Sequence, residues 1–389
     1  MGDVRFTLSA RERPISVAGY RRAARRALPD MVWTYVENGA EDEVTLAGNR
    51  AAFRRWSLRQ RVLRGTAERK MAVNLEGAEL ALPVMVSPTG LCGMVHWSGE
   101  AAVAAGAAGA GSRMVLSAAS SYSLEEVAEA SPAGHWFQIY PWRDKEFVDL
   151  ILSRARRSGY RVLVLTVDVP VFGNREGERL RGMGIPPVLT PRRILDAVAH
   201  PRWAYGFLRY QRVSMRNFVT TGGLSAGASS ARAHGDRLTR SQLDWDDFAR
   251  VRALWNGPCY IKGILDPADA ERAVSLGADG IVVSNHGGRQ LDSAPATLDA
   301  LPAIVDRVGS RATVLLDGGV RRGSDVVKAL CLGAAGCLIG RPMIYGLAAG
   351  GAAGVTDVLE ILGQEIDRTL ALMGCADIAD LDRSWLIEA

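Results

Sequence analysis

The sequence predicts a single (β/α)8 barrel with N-terminal helices and a long insert after its fourth strand, and three observations predict it. Eight short, nearly all-apolar runs recur between residues 82 and 342. Each is followed by a turn, and helical stretches lie between them. Polar side chains gather at the trailing ends of the runs. Runs this apolar belong to parallel strands covered on both faces, and their alternation with helices marks βαβ units. A chain of 389 residues, 48% of them hydrophobic, fits one large barrel with its core, so residues 1–389 are expected to form one domain.

Residues 14–60 read as helices; Pro29 opens a segment through Met31, Val32, Tyr35 and Val36 that Asn38-Gly39 ends. The strand candidates are LPVMVSPTG (82–90), RMVLSAAS (113–120), HWFQIYPW (135–142), RVLVLTVDVP (161–170), PCYIKGIL (258–265), GIVVSNHGG (280–288), TVLLDGG (313–319) and AGCLIGRP (335–342). Helical patterns such as SLEEVAEAS, KEFVDLILSRARR, DPADAERAVSLG, TLDALPAIVDRV and RGSDVVKALCLG separate them, and VTDVLEILGQEIDRTLALM follows the last. Residues 171–244 break the rhythm, being too long for a connecting loop. This insert reads either as an active-site lid plus a Gly/Ser/Ala-rich flexible loop, or as a peripheral membrane contact through residues 186–220. For the second reading, basic side chains accompany Trp203, Tyr205, Phe207 and Leu208.

Composition narrows the function. The five cysteines are scattered without a CxxC pair or a histidine at ligand spacing, so no metal is expected and a reduced, cytoplasmic setting is. The charged N-terminus lacks the apolar core of a signal peptide, and no uninterrupted apolar stretch is long enough to span a bilayer. A formal charge of +5 is modest for this length, which argues against nucleic acid as a partner. The absence of Gly-x-Ser-x-Gly, HExxH and Walker patterns leaves hydrolysis, zinc proteolysis and NTP chemistry unsupported.

In such a barrel the chemistry sits at the C-terminal strand ends. All eight runs end in polar residues: Thr89; Ser117; Gln138 and Tyr140; Thr166 and Asp168; Lys262; Ser284, His286 and Arg289; Asp317; and Arg341. Lys262 is one of only four lysines, set among apolar residues. Either it snorkels to solvent, or it is a buried cation that needs an anionic partner, such as the charge that develops on a reduced flavin. In VVSNHGGRQLD, Gly287-Gly288 lets the backbone turn beside His286, and Arg289 can grip a carboxylate with two parallel hydrogen bonds next to an imidazole base. Asp168, on the same side of its strand as Thr166, either orients His286, or serves as an N-terminal-type cap or an ion-pair partner of Arg175. LLDGGVRRGSD and LIGRP end the seventh and eighth runs, where barrels often bind phosphate; Gly318, Gly319 and Gly340 would offer backbone N–H groups, and Arg321 and Arg341 charge. Plain strand-to-helix turns are the other reading of those loops.

These residues resemble the FMN-dependent L-2-hydroxy acid oxidase/dehydrogenase family, which includes glycolate oxidase, L-lactate dehydrogenase and mandelate dehydrogenase. The resemblance spans about residues 15–385 and rests on SNHGGRQLD, with GAEDE, SPTG, WFQIY, LTVDVP, DGGVRRGSD and IGRP in the family's order; the mandelate dehydrogenase branch is the nearest in pattern. It implies His286 as base, Asp168 as its partner, and Arg289 and Arg175 as carboxylate ligands, with Tyr35 and Tyr140 hydrogen-bonding the substrate. It implies FMN held by Pro88, Thr89, Gly90, Ser117, Gln138, Thr166, Lys262 and Ser284, its phosphate on Asp317, Gly318, Gly319 and Arg321 and on Gly340-Arg341. Gly90 and Ala119 stand where relatives carry larger side chains, which favours a substrate with a bulky substituent. The resemblance further implies a homotetramer.

The expected reaction is oxidation of a small 2-hydroxy acid to its 2-oxo acid, with oxygen, a quinone or another carrier as electron acceptor. Whether the proton taken by His286 leaves carbon or oxygen is open. An FMN-dependent isomerase acting on a phosphorylated substrate is the alternative; it would share the phosphate loops and Lys262 but would not need the His286/Arg289 pair. The expected location is cytoplasmic, or peripheral on the inner face of the membrane.

Overall fold

The computed structural model describes residues 13–142, 144–183, 187–218 and 244–388. The charged N-terminal stretch and the Gly/Ser/Ala-rich part of the insert lie outside the described residues.

Each of the eight apolar runs forms a parallel strand: β1 (Val84–Val86), β2 (Val115–Ser117), β3 (Trp136–Ile139), β4 (Leu163–Thr166), β5 (Cys259–Ile264), β6 (Gly280–Val283), β7 (Thr313–Asp317) and β8 (Gly336–Ile339). They pair in the order β1-β8-β7-β6-β5-β4-β3-β2. The ring closes where Val86 bridges Met114, its N–H donating to the Arg113 carbonyl at 2.9 Å. The fold is the (β/α)8 barrel that the runs predict.

The period of two along each strand explains how the site is built. One alternation (Val84, Leu116, Phe137, Leu163, Ile261, Ile281, Val314, Cys337) packs outward against the helical layer. The other points inward, where Met85, Val115, Trp136, Val164, Tyr260, Val282, Leu315 and Leu338 fill the barrel. Two residues further along every strand the inward position changes character, to Ser87, Ser117, Gln138, Thr166, Lys262, Ser284, Asp317 and Gly340. The interior is thus an apolar plug capped by a polar layer on the C-terminal side. On the other side a short hairpin, Val73–Leu75 paired with Ala78–Leu80, inserts Leu75 and Leu80 into the plug, and its Glu76 accepts a hydrogen bond from the Tyr260 hydroxyl.

The helices begin where capping chemistry places them: Asp30–Glu37 after Pro29, Leu124–Ala130 behind a Ser123/Glu126 capping box, Pro267–Ser275 behind Asp266. Between β4 and β5 the insert forms Glu176–Leu180, Pro191–Val198 and Pro201–Tyr210, the last two each opening on proline. The second and third helices lie over the polar layer as part of a cavity wall, and Trp203 ties them down by donating to the Met94 carbonyl at 2.7 Å. The terminal helix, Arg341–Met373, bends at Gly350-Gly351 and has the length and composition of a membrane crossing; half of its apolar window is buried, which marks a core helix. All five cysteines are buried and unpaired.

Candidate active site

Lys262, with its side chain 3% exposed, organises the polar layer. Its Nζ donates to Ser284 Oγ at 2.9 Å and lies 3.1 Å from Asp317 Oδ2, which also accepts from Ser87 Oγ at 3.1 Å. Burial works to neutralise the ammonium, but the Asp317 and Asp168 carboxylates overturn it and raise its pKa. Lys262 is a paired buried cation, then, and does not snorkel to solvent. Asp317 serves it as a counter-ion while still lining the cavity.

His286 follows β6 in the left-handed backbone region, at φ 59°. Such a conformation costs about 1–3 kcal/mol for a non-glycine residue and has to be held by its surroundings. Its N–H donates to Ser284 Oγ at 3.1 Å. Neighbouring Asn285 exchanges two amide hydrogen bonds with Asn49, both 2.8 Å, which fastens the loop to the N-terminal Val44–Ala52 helix. His286 Nδ1 lies 3.0 Å from Asp168 Oδ1. That settles the alternative left open by the sequence: Asp168 meets His286, while Arg175 turns elsewhere. Burial lowers the imidazole pKa further than Asp168 raises it. For Asp168, His286 and Lys262 outweigh burial and keep the carboxyl below its ordinary range. The neutral ring therefore donates Nδ1–H to Asp168 and leaves Nε2 as a free acceptor. Gly263 allows this packing, since a Cβ there would sit 2.6 Å from that of Asp168.

Arg289 and Arg175 lie side by side. Arg289 NH1 donates to the Tyr35 and Asn38 carbonyls at 2.8 and 2.9 Å, and its NH2 to Glu178 Oε1 at 2.9 Å. Arg175 Nε donates to the Arg289 carbonyl at 3.3 Å, and its NH1 is 3.6 Å from the same Glu178 oxygen. Tyr35 donates to the Gly90 carbonyl at 3.1 Å, and burial raises its hydroxyl to about 12. Burial likewise raises the Tyr140 hydroxyl.

One cavity of about 1060 Å³ joins these groups, lined by Pro88, Thr89, Gly90, Tyr140, Lys262, His286, Arg289 and Arg175 and by the 317–321 and 338–341 segments. At its far end Gly318 and Gly319 adopt positive φ, at 97° and 87°. Arg341 there spends its donors on the Val36, Asn38 and Gly287 carbonyls, and burial among the Arg289 and Arg321 guanidiniums pulls its pKa down to about 9. Such unbalanced positive charge is what a phosphate would neutralise. Beneath the cavity, Ser117 Oγ donates to Gln138 Oε1 at 3.0 Å, while Gln138 Nε2, Thr166 Oγ1 and Asp317 Oδ1 are buried without a well-aligned hydrogen-bond partner. Buried polar atoms are rarely left unmade, so a polar ligand over the barrel mouth is called for. A flavin carrying a phosphate matches both ends of the cavity.

Residues 24–388 match the family described as FMN-dependent dehydrogenase. The chain belongs to that family. It is a flavoprotein, and FMN is its cofactor. It is 41% identical to the L-lactate oxidase of Nostoc over 97% of this chain and 100% of the relative. It is 39% identical to the (S)-mandelate dehydrogenase of Pseudomonas putida, over 95% of this chain and 93% of the relative. A crystal structure of monotopic membrane protein (S)-mandelate dehydrogenase superposes with a TM-score of 0.92 at 38% identity, covering 96% and 99% of the two chains.

Among the residues that sequence reasoning missed, Glu178 stands three positions after Arg175, an i,i+3 spacing that could have flagged it. Gln290 was missed too; its amide spans the loops after β4 and β6 through the Asp168, Val171 and Gly173 backbones. The apolar wall of Met31, Val32, Phe172, Val198, Phe207 and Met215 carries no motif, and nothing in the sequence marks these residues as facing one cavity.

Proposed function

We propose that this FMN-dependent dehydrogenase oxidises an L-2-hydroxy acid with a large apolar substituent, mandelate-like in shape, to the 2-oxo acid. The observation that carries the reading is the convergence, in one cavity, of a His286–Asp168 dyad and an Arg289–Arg175 pair, facing a wall that is otherwise apolar. Ala119 and Gly90 keep the substituent side open. Arg289 and Arg175 bind the carboxylate and so fix which way the carbon bearing the hydroxyl faces. His286 Nε2 accepts a proton, and Asp168 stabilises the imidazolium that results. Bound FMN supplies the two-electron acceptor. Lys262 would offer that group a fixed positive charge, which favours the negative charge it gains on reduction. Pro88, Thr89, Gly90, Ser117, Gln138, Thr166 and Ser284 would hold the ring system, and Gly318, Gly319, Arg321, Gly340 and Arg341 the phosphate. An isomerase would have no use for the His286 and Arg289 arrangement, and the family assignment sets that alternative aside. Anaerobic addition of mandelate, lactate and glycolate is the test: mandelate should bleach the flavin fastest, and failure of all three to bleach it would overturn the reading.

The second part of the proposal is that the insert rests on a membrane. Leu180, Val188, Leu195 and Tyr205 are exposed and lie outside the cavity lining, interleaved with Arg192, Arg202 and Arg209, a pattern suited to an anionic interface. The similarity to a monotopic enzyme supports this placement. Because the same helices wall the cavity, a quinone drawn from the bilayer is the acceptor the arrangement favours. Assembly as a homotetramer, which the resemblance implies, is part of the same proposal.

A further inference from the structure

We propose that Glu178 is the positioning residue of the carboxylate clamp: lodged between the Arg289 and Arg175 guanidiniums, it fixes which N–H groups Arg289 offers to the substrate. This rests on the reading of Arg289 as the clamp. A guanidinium has five N–H donors in a rigid fork. In Arg289 both NH1 donors go to the Tyr35 and Asn38 carbonyls, and one NH2 donor goes to Glu178. What is left is the Nε–H and one NH2 N–H, the two donors a bidentate grip on a carboxylate requires.

The charge balance points the same way. Burial and the neighbouring Arg289 charge both disfavour the charged form of Arg175, and Glu178 opposes them. Glu178 is 8% exposed, and among the described residues its Oε1 is the one carboxylate oxygen in ion-pair contact with both guanidiniums. Two guanidiniums and one carboxylate leave a single positive charge, enough for one monocarboxylate substrate. Glu178 also lies on the short helix that starts directly after Arg175, so one element carries both the second arginine and the group that spaces it from the first.

The role separates binding from orientation. Removing the Glu178 charge leaves two unbalanced cations, which attract an anion at least as well, but Arg289 loses the one partner that directs its NH2 group. Simple structural damage would weaken both together.

The test uses the FMN-loaded enzyme and phenylacetate, an inert carboxylate that lacks the reacting hydroxyl. For Glu178→Gln, calorimetry should show phenylacetate bound as tightly as by the parent or up to about tenfold tighter, while flavin reduction by mandelate slows at least about tenfold. Reduction within twofold of the parent overturns the proposal, and so does joint loss of phenylacetate binding and flavin. Should Glu178→Gln not fold, Glu178→Asp keeps the charge and shortens the reach; slowed reduction with phenylacetate affinity held supports the proposal, and parent-like behaviour overturns it. Arg289→Met is the separate control: if that variant still binds phenylacetate normally, it is the clamp reading that fails.

Discussion

Burial, with the Lys262 and Arg175 charges beside it, lowers the His286 pKa, Asp168 raises it, and the lowering prevails. A lowered pKa means the imidazole is neutral and able to accept a proton at pH 7, and that this ability is lost as pH falls through a value below 6.5. The kcat/KM profile should therefore show an acid limb below that pH. Asp168→Asn removes a group that raises the histidine pKa, so the limb should move to still lower pH while the plateau drops by about 100-fold or more. For His286→Gln, turnover should fall by about 10²–10⁴-fold with the flavin still bound, which absorbance of the purified variant checks. Ala119→Trp would fill the open side of the cavity; steady-state comparison should show preference moving from mandelate toward glycolate by about tenfold or more. His286, Asp168, Lys262 and Arg289 were legible because each is a polar residue at the end of an apolar strand. Glu178 was not, because it sits on a surface-like stretch, NREGERLR, whose charges look solvated until folding brings Arg289 beside them. Asp317 was legible as a site residue but not in its role, since its pairing with Lys262 crosses strands far apart in sequence.

At the scale of elements, the loop after β6 is held by the N-terminal segment as firmly as by the barrel. The Ala40 N–H donates to the Gly288 carbonyl at 2.9 Å, Asp292 accepts from the Val44 and Thr45 N–H groups, and Asn49 pairs with Asn285. Asn49→Ala leaves the buried Asn285 amide half satisfied and should cost about 1–3 kcal/mol, read as a lowered Tm, with turnover falling because His286 loses its support. The strands were readable since being apolar on both faces leaves no other reading for short runs between helices. The Asp30–Glu37 helix was readable to within a residue from Pro29 and Asn38-Gly39. The cross-bracing was not, because an asparagine in one helix and another in a distant loop announce nothing separately.

For the whole molecule, the proposed membrane attachment is the point on which sequence and structure bear most unevenly. The Trp, Tyr and Arg content of residues 186–220 suggested an interface, but only folding tells which apolar residues turn outward. Leu195 and Tyr205, 70% and 67% exposed and outside the cavity lining, are two that do. The double variant Leu195→Asp, Tyr205→Asp should move from floating to sedimenting with vesicles rich in anionic lipid, while oxidising mandelate normally with a soluble dye. Retained flotation would remove the insert from the membrane. The barrel itself needed no such help, because its architecture follows from a count of strands and the length of the chain.

The hairpin that stoppers the lower mouth of the barrel, with Leu75 and Leu80 pressed into the plug, has a consequence for traffic. With the floor sealed, acid coming in, keto product going out and the oxidant that collects the electrons share the upper rim, and they have to take turns there. Varying hydroxy acid at several fixed acceptor concentrations should accordingly give parallel double-reciprocal lines, whereas lines that cross would mean the two visitors are aboard together.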